Sequence, residues 1–183
     1  VLLLGYGGPG HDGPFLTDSI VLAIVDPKAK SLSILSIPRD TQVNLPLDQE
    51  DGIWSKINTA YSYGKYQSIY TERPDRYKGP AAGGVLAKDA VEGIVGIPVR
   101  NFVALDFNTF RKLIDEIGGV DVTVQSAFSA NYPVADDPSV NPDWTIVSFS
   151  AGMQHMSGER ALEFARAREV IDNMAEGSDF ARS

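Results

Sequence analysis

The chain contains no cysteine, so its 183 residues hold no disulfide framework, no thiolate nucleophile and no cysteine-bound metal site. Histidine is almost as scarce. The two copies, His11 and His155, lie far apart and do not form the spaced set that a zinc site requires. No apolar run approaches the ~20 residues of a membrane-spanning helix, and no charged-then-apolar leader is present. Positive charge is in deficit too: 16 Lys and Arg stand against 24 Asp and Glu, a net charge of -8. That balance opposes broad contact with nucleic acid or an anionic membrane surface and argues against a transcriptional regulator. Any anion site must therefore be a local cluster of arginines.

A hydrophobic content of 43% and a charged content of 22% suit a globular chain with a buried core, and the length suits one domain spanning 1–183. The first residues, Val1-Leu2-Leu3-Leu4-Gly5, read as a buried strand already under way, and no helix-ending signal precedes Ser183. The sequence thus reads as a piece of something longer. A turn-rich stretch from Gly7 to Pro14 follows the first strand. Residues 19–26 and 31–37 are strand-like on alternate and intervening positions, which predicts a sheet covered on both faces. Pro27-Lys28-Ala29-Lys30 between them predicts an antiparallel hairpin.

Helices are predicted over 82–96, with Leu86, Ala90, Val91 and Ile94 on one face, and from Asp106 as cap to Gly118 as stop. The second should bury Phe107, Phe110, Leu113, Ile114 and Ile117. Residues 99–105 and 120–124 read as strands. Ser157 caps a last helix to about Ala165, with Glu159 in its first turn. Alternating strands and helices predict an α/β class, as a three-layer α/β/α sandwich around a mixed sheet. Residues 64–81 and 125–149 read as long irregular stretches of the kind used as lids or rims.

If Asp26 pairs with Ser31 across the turn, continuing the ladder places Asp18 opposite Arg39. Asp18, Arg39 and Asp40 then gather at one end of two strands, where α/β sheets tend to bind ligands, and Pro38 turns the chain out there. A plain ion pair at a sheet rim fits the same pattern. Arg166-Ala167-Arg168 forms a second cluster. The two arginines reach one ligand only if the helix ends near Ala165 and the backbone straightens; a solvated helix end carrying cations is the plainer reading. With Arg182, near Asp179, these arginines would make a clamp for a highly charged anion, and Asp18 would offer a hard oxygen to Mg2+. The glycines at 5, 7, 8 and 10 match neither the dinucleotide fingerprint nor the P-loop. His11 beside Asp12 serves either chemistry or the turn. Five of the seven tyrosines fall between Tyr61 and Tyr77, either to stack on sugars or to coat a loop.

In order along the chain, the pieces Leu16-Thr17-Asp18-Ser19, Ser36-Ile37-Pro38-Arg39-Asp40-Thr41, Lys56-Ile57-Asn58-Thr59-Ala60-Tyr61, Gly118-Gly119-Val120-Asp121-Val122, residues 152–162, Phe164-Ala165-Arg166-Ala167-Arg168 and Asp179-Phe180-Ala181-Arg182 resemble the LytR–CpsA–Psr family of cell-wall attachment enzymes. The resemblance implies an apolar tunnel for a polyprenyl chain, with its pyrophosphate at an arginine-rich mouth. It implies transfer of a phospho-glycopolymer to peptidoglycan with Mg2+, or Mn2+ in its place. It also implies an extracytoplasmic setting on the cell membrane and an N-terminal anchor outside this sequence. Arg39, Arg166, Arg168 and Arg182 match the family's pyrophosphate-binding arginines, Asp18 its metal-associated aspartate, and Asp40 and Asp179 acidic residues of the same site. The chain departs from the pattern at Leu16, where many relatives carry arginine, and at Tyr6-Gly7-Gly8, where many carry aspartate. Asp12, with His11, stands nearby as a candidate metal ligand or base. Two rival functions share the same clamp: a hydrolase of the lipid pyrophosphate, and a receptor that binds lipid or glycan without turnover.

Overall fold

A computed structural model describes residues 1–172 except 12, 48–50, 70 and 138. Its contacts divide into two compact units: a first of Val1–Pro9 and Gly13–Leu105, and a second that takes Gly10 and His11 with the chain from Asp106 onward. Asp12, Asp179 and Arg182 lie outside the described residues.

The first unit is built on a sheet ordered β3-β2-β1-β6, comprising β1 (Leu2–Tyr6), β2 (Thr17–Asp26), β3 (Ser31–Ser36) and β6 (Phe102–Asp106). The hairpin turn forms because the Asp26 carboxylate accepts from the backbone N–H groups of Lys28 at 2.9 Å and Ala29 at 3.0 Å, a local bond that aspartate makes readily. Pairing then runs from Asp26↔Ser31 to Val21↔Ser36, the expected register. β1 pairs with β2 antiparallel as Leu2↔Leu22 and Leu4↔Ile20, and these four side chains are buried at 2% exposure or less. Burying each is worth roughly 1.5–3 kcal/mol. The expected cover on both faces fails at β3, which is exposed at all six residues. It is the edge strand, with a single neighbour to shield it.

A second hairpin, β4 (Gln42–Leu45) with β5 (Ile53–Lys56), leads into α1 (Thr59–Lys65), and α2 (Ala82–Val95) closes the same core. Leu86, Ala90 and Val91 of α2 are buried as expected, but Ile94 is 43% exposed, one turn past the packed surface. Gly96 stops α2 in a left-handed conformation at φ 68°. Of the tyrosine-rich stretch, Tyr61 and Tyr77 are core residues. Buried Arg73 spans that stretch by donating to the carbonyls of Tyr63 at 2.7 Å and Tyr66 at 3.2 Å.

The second unit contains α3 (Phe107–Glu116), β7 (Val120–Val124), β8 (Phe128–Pro133), β9 (Trp144–Phe149), β10 (Gly152–Met156), α4 (Gly158–Arg166) and the short β11 (Glu169–Val170). Asp106 caps α3 by accepting from Thr109 N at 2.7 Å, and Ser157 caps α4 by accepting from Arg160 N at 3.4 Å. The predicted stripe on α3 holds only in part. Phe110 and Ile114 pack on the core, whereas Leu113 and Ile117 are 47% and 63% exposed. Residues 125–149 are also more regular than expected, because β8 and β9 pair there antiparallel, from Phe128↔Phe149 to Pro133↔Trp144. With β10 on β7 and four α-helices among the described residues, the observed class is α/β, as the alternation implied.

Helices α1 and α2 cross at glycines. A Cβ on Gly64 would overlap Gly83 Cα and the Ala82 carbonyl, and one on Gly83 would lie 2.8 Å from the Tyr61 carbonyl oxygen. Gly64→Ala and Gly83→Ala should each lower stability by about 1–3 kcal/mol in chemical denaturation. Gly93→Ala, on an open face of α2 with nothing within 4 Å, should instead raise it by up to about 1 kcal/mol.

Candidate functional site

In the first unit, the β2–β3 ladder continues by one bond, Ile37 N to Ile20 O at 2.8 Å, and Pro38 then ends it. A tight turn follows, with both the N–H and the hydroxyl of Thr41 donating to Pro38 O at 3.0 and 2.7 Å. Arg39 and Asp40 sit in this turn. Buried Asn58 holds it from the side: its N–H donates to Arg39 O at 3.2 Å, and its carbonyl accepts from Thr17 N at 3.1 Å. The start of β2 and the Arg39 turn are thus tied through one residue. Asp18 follows Thr17, and its Oδ1 accepts from Arg39 Nη1 at 2.6 Å. The pairing expected from the hairpin is therefore present.

The cluster extends to Asp40, 3.7 Å from Arg39 Nε, and to Lys56, whose Nζ donates to Asp40 Oδ1 at 2.6 Å. Lys56 was not among the candidates. The Asp18–Arg39 side chains are 35% and 39% exposed, and Asp40 and Lys56 are more so. Ion pairs this wet contribute little to stability, about 0–1 kcal/mol, so they set direction more than they hold the fold. The Lys56 ammonium bonded to Asp40, with the charge of Arg39 adding, keeps the Asp40 carboxyl below the ordinary carboxylate value.

In the second unit, α4 ends at Arg166, one residue past the expected stop. Ala167 is fully buried with φ -68° and ψ 78°, and Glu169 and Val170 then pair with Asn131 and Ala130 of β8. The backbone does straighten as an arginine pair would require. Arg168 is exposed. Arg166 is mostly buried, its Nη1 donating to Asp136 Oδ1 at 2.5 Å and to the Tyr132 hydroxyl at 3.1 Å. Its guanidinium lies 4.2 Å from the centroid of the Phe107 ring. The other oxygen of Asp136 accepts from Arg111 Nη2 at 2.6 Å, and Arg111 Nε reaches Glu159 at 2.5 Å. Burial works against the charged form of Arg111, yet Asp136 and Glu159 outweigh it and push its pKa up. Burial also raises Tyr132, so its hydroxyl stays neutral.

Asp136, Arg111 and Tyr132 escaped the sequence because they meet only through the β8–β9 hairpin. A signal was present: Phe128, Ala130 and Tyr132 alternate along β8 and are all buried. His11 rests edge-on against Phe107 at 5.4 Å. His155 bridges Asp121 at 2.8 Å and the Gly118 carbonyl at 2.9 Å, which makes it a cross-strand staple of β7 and β10.

Titration of Asp40 followed by NMR should give a pKa below 3.8, and Lys56→Met should return it toward that value. Because the folded-state value is depressed, the linked stability is present above the ordinary carboxylate range and is lost as pH falls through the lowered value.

The family model described as the LytR_cpsA_psr family matches residues 1–183. The polyisoprenyl-teichoic acid–peptidoglycan teichoic acid transferase TagV of Bacillus subtilis (strain 168) is 34% identical over 173 residues, 92% of this chain but 37% of that protein. The corresponding transferase TagU of Enterococcus faecalis is 29% identical, over 92% of this chain and 45% of that protein. The crystal structure of B. subtilis TagV superposes on 99% of this chain and 59% of its own, with a TM-score of 0.63 and 28% identity. The family protein YwtF (TagT) with bound octaprenyl pyrophosphate lipid superposes on 96% of this chain and 57% of its own, with a TM-score of 0.60 and 27% identity. The chain therefore spans about two-fifths of the length of these curated relatives, and with the family model matching from end to end it belongs to the LytR–CpsA–Psr family.

Proposed function

We propose that this chain is the catalytic part of an extracytoplasmic phosphotransferase anchored to the bacterial membrane by a segment outside this sequence. It moves a phospho-glycopolymer from a polyprenyl-pyrophosphate carrier to a hydroxyl of peptidoglycan. The observation that carries the reading is the Asp18–Arg39 pair at 2.6 Å, set by the hairpin register at a strand end in a chain of this family. TagV and TagU bear the names of teichoic acid transferases, and TagT holds octaprenyl pyrophosphate, which supports the same substrate class here.

Phosphoryl transfer depends on positioning and charge stabilisation. The acceptor hydroxyl oxygen forms a bond to the phosphorus that carries the glycopolymer, the bridging P–O bond breaks, and polyprenyl phosphate leaves with the electron pair and takes up the hydroxyl proton. Arg39, Arg166, Arg168 and Arg182 would neutralise the phosphate oxygens through planar, permanently charged forks, with Asp179 beside them. Asp40, kept ionised by Lys56, orients the Arg39 turn. The isoprenoid chain would lie in an apolar tunnel, each buried CH2 contributing roughly 0.8 kcal/mol before ordering costs.

A divalent cation fits Asp18. One carboxylate oxygen takes Arg39, and the second has no hydrogen-bond partner among the described residues. No group of three or more His, Cys, Asp or Glu stands ready to hold a metal among those residues. One or two carboxylates together with substrate phosphates is ordinary Mg2+ ligation. Mg2+ or Mn2+ bound there, with Asp12 as a second ligand, would supply further neutralisation of the pyrophosphate.

With the longer protein and a lipid-linked pyrophosphate, Arg39→Ala should leave lipid binding largely intact and cut turnover by about 100- to 1000-fold. Arg39→Lys should recover little, because a point charge does not replace a bidentate fork. Binding without any cleavage by the wild type would sink the transferase reading in favour of a receptor, and equal rates with and without the peptidoglycan acceptor would favour a hydrolase. In single-turnover rates across a Mg2+ titration, Asp18→Asn should raise the metal requirement. Asp12→Asn should do the same, and the double variant should be no worse than either single change. Wild-type behaviour of Asp12→Asn would remove Asp12 from the metal site.

A further inference from the structure

Arg166 stands at the last residue of α4, where an unrestrained arginine would sample many rotamers. Here it does not. Among the described residues only its Nη1 finds hydrogen-bond partners, donating to Asp136 Oδ1 at 2.5 Å and to Tyr132 Oη at 3.1 Å. The guanidinium carbon lies 4.2 Å from the centroid of the Phe107 ring, which closes off one side of the group. The Nε–Nη2 edge has no hydrogen-bond partner among the described residues. That edge presents two parallel N–H donors, the geometry that matches two oxygens of one phosphate.

The other half of the arrangement is what holds Asp136. Its Oδ2 accepts from Arg111 Nη2 at 2.6 Å, and Arg111 Nε is 2.5 Å from Glu159 in the first turn of α4. Arg111 is also fixed through its backbone: a Cβ on Gly158 would overlap the Arg111 carbonyl, and Gly158 N donates to Asp115 Oδ1 at 2.8 Å. Asp136 is therefore tied to α3 on one side and offers its second oxygen to Arg166 on the other. Its negative charge is shared between two guanidinium groups, so it does not cancel Arg166 alone. The side chains of Arg111, Arg166 and Asp136 are 19%, 20% and 30% exposed, dry enough for these bonds to persist.

We infer that Asp136 is a positioning residue, which pins one nitrogen of Arg166 so that the Nε–Nη2 edge is ready for a phosphate of the lipid-linked pyrophosphate. The inference deepens the proposed function and rests on its assignment of Arg166 to the substrate. Holding the arginine before the substrate arrives removes an ordering cost from binding, which is the benefit of preorganisation. A carboxylate acting instead as a stand-in for the substrate would have to be displaced, and its removal would tighten binding.

Two measurements separate these cases. In the free protein, nitrogen-resolved NMR of the Arg166 guanidinium should show restricted rotation, and Asp136→Asn should average the Nη signals. In calorimetry with a polyprenyl pyrophosphate, Asp136→Asn should weaken binding about tenfold, Asp136→Glu should recover part of the loss, and Asp136→Asn should cost nothing further when Arg166 is already glutamine. If Arg166→Gln weakens binding but Asp136→Asn does not, or tightens it, the positioning role is overturned while the substrate assignment stands. An equal loss from Asp136→Asn in the Arg166→Gln background overturns it too. If Arg166→Gln binds like the wild type, the assignment of Arg166 to the pyrophosphate fails and the positioning role with it. Should Asp136→Asn not fold because Arg111 loses its partner, Phe107→Leu removes the ring under the guanidinium with the carboxylate in place. It should give the same averaging and a weakening in the same direction; unchanged rotation and affinity would count against the role.

Discussion

The Asp26 carboxylate bonds the N–H groups of Lys28 and Ala29, and Lys30 takes a left-handed conformation at φ 50° to close the turn. From that point Val21 to Asp26 of β2 each have an assigned partner on β3, one further bond joins Ile37 to Ile20, and the count carries on to the side-chain pair of Asp18 and Arg39. A slip of one residue would turn Asp18 to the other side of the sheet and bury polar groups where Ile20 and Leu22 now pack. The apolar face of β2 thus protects the register, and the register sets the charge pair. Asn58 completes the constraint by bonding the backbone at both Thr17 and Arg39.

In a chain with a net charge of -8, Arg39 and Arg166 are each held by carboxylates. The settings differ. Arg39 is more than a third exposed and faces Asp18 and Asp40, pairs that water screens. Arg166 is drier, stacked on an aromatic ring and joined to a second arginine through one aspartate. The first arrangement leaves room for exchange of partners, and the second fixes an orientation.

Much of the local structure was legible. The hairpin register, the Asp106 and Ser157 caps and the Gly118 stop each depend on bonds among residues close in sequence, so residue type and spacing were enough. The α3 stripe was legible only as a direction. Periodicity marks a face, but the packed surface reaches Phe110 and Ile114 and leaves Leu113 and Ile117 exposed. Helix α1 and the β4–β5 and β8–β9 hairpins were not read, because each lies in a stretch where mixed polar residues and glycine or proline weaken the period. Of the site, the Asp18–Arg39 pair came from counting along a ladder, whereas the contacts of Lys56 with Asp40 and of Asp136 with Arg166 did not follow from spacing.

The sequence by itself determined the class, the family and which arginines stand at element ends, since these follow from periodicity, capping chemistry and ordered motifs. Only the tertiary structure decided what each arginine faces. Asp136 reaches Arg166 across 30 positions and Arg111 across 25, and it does so because β8 folds back on β9 and β11 while α3 packs on α4. Contacts over such separations depend on where whole elements pack, and packing is a property of buried surfaces in three dimensions that residue spacing does not encode.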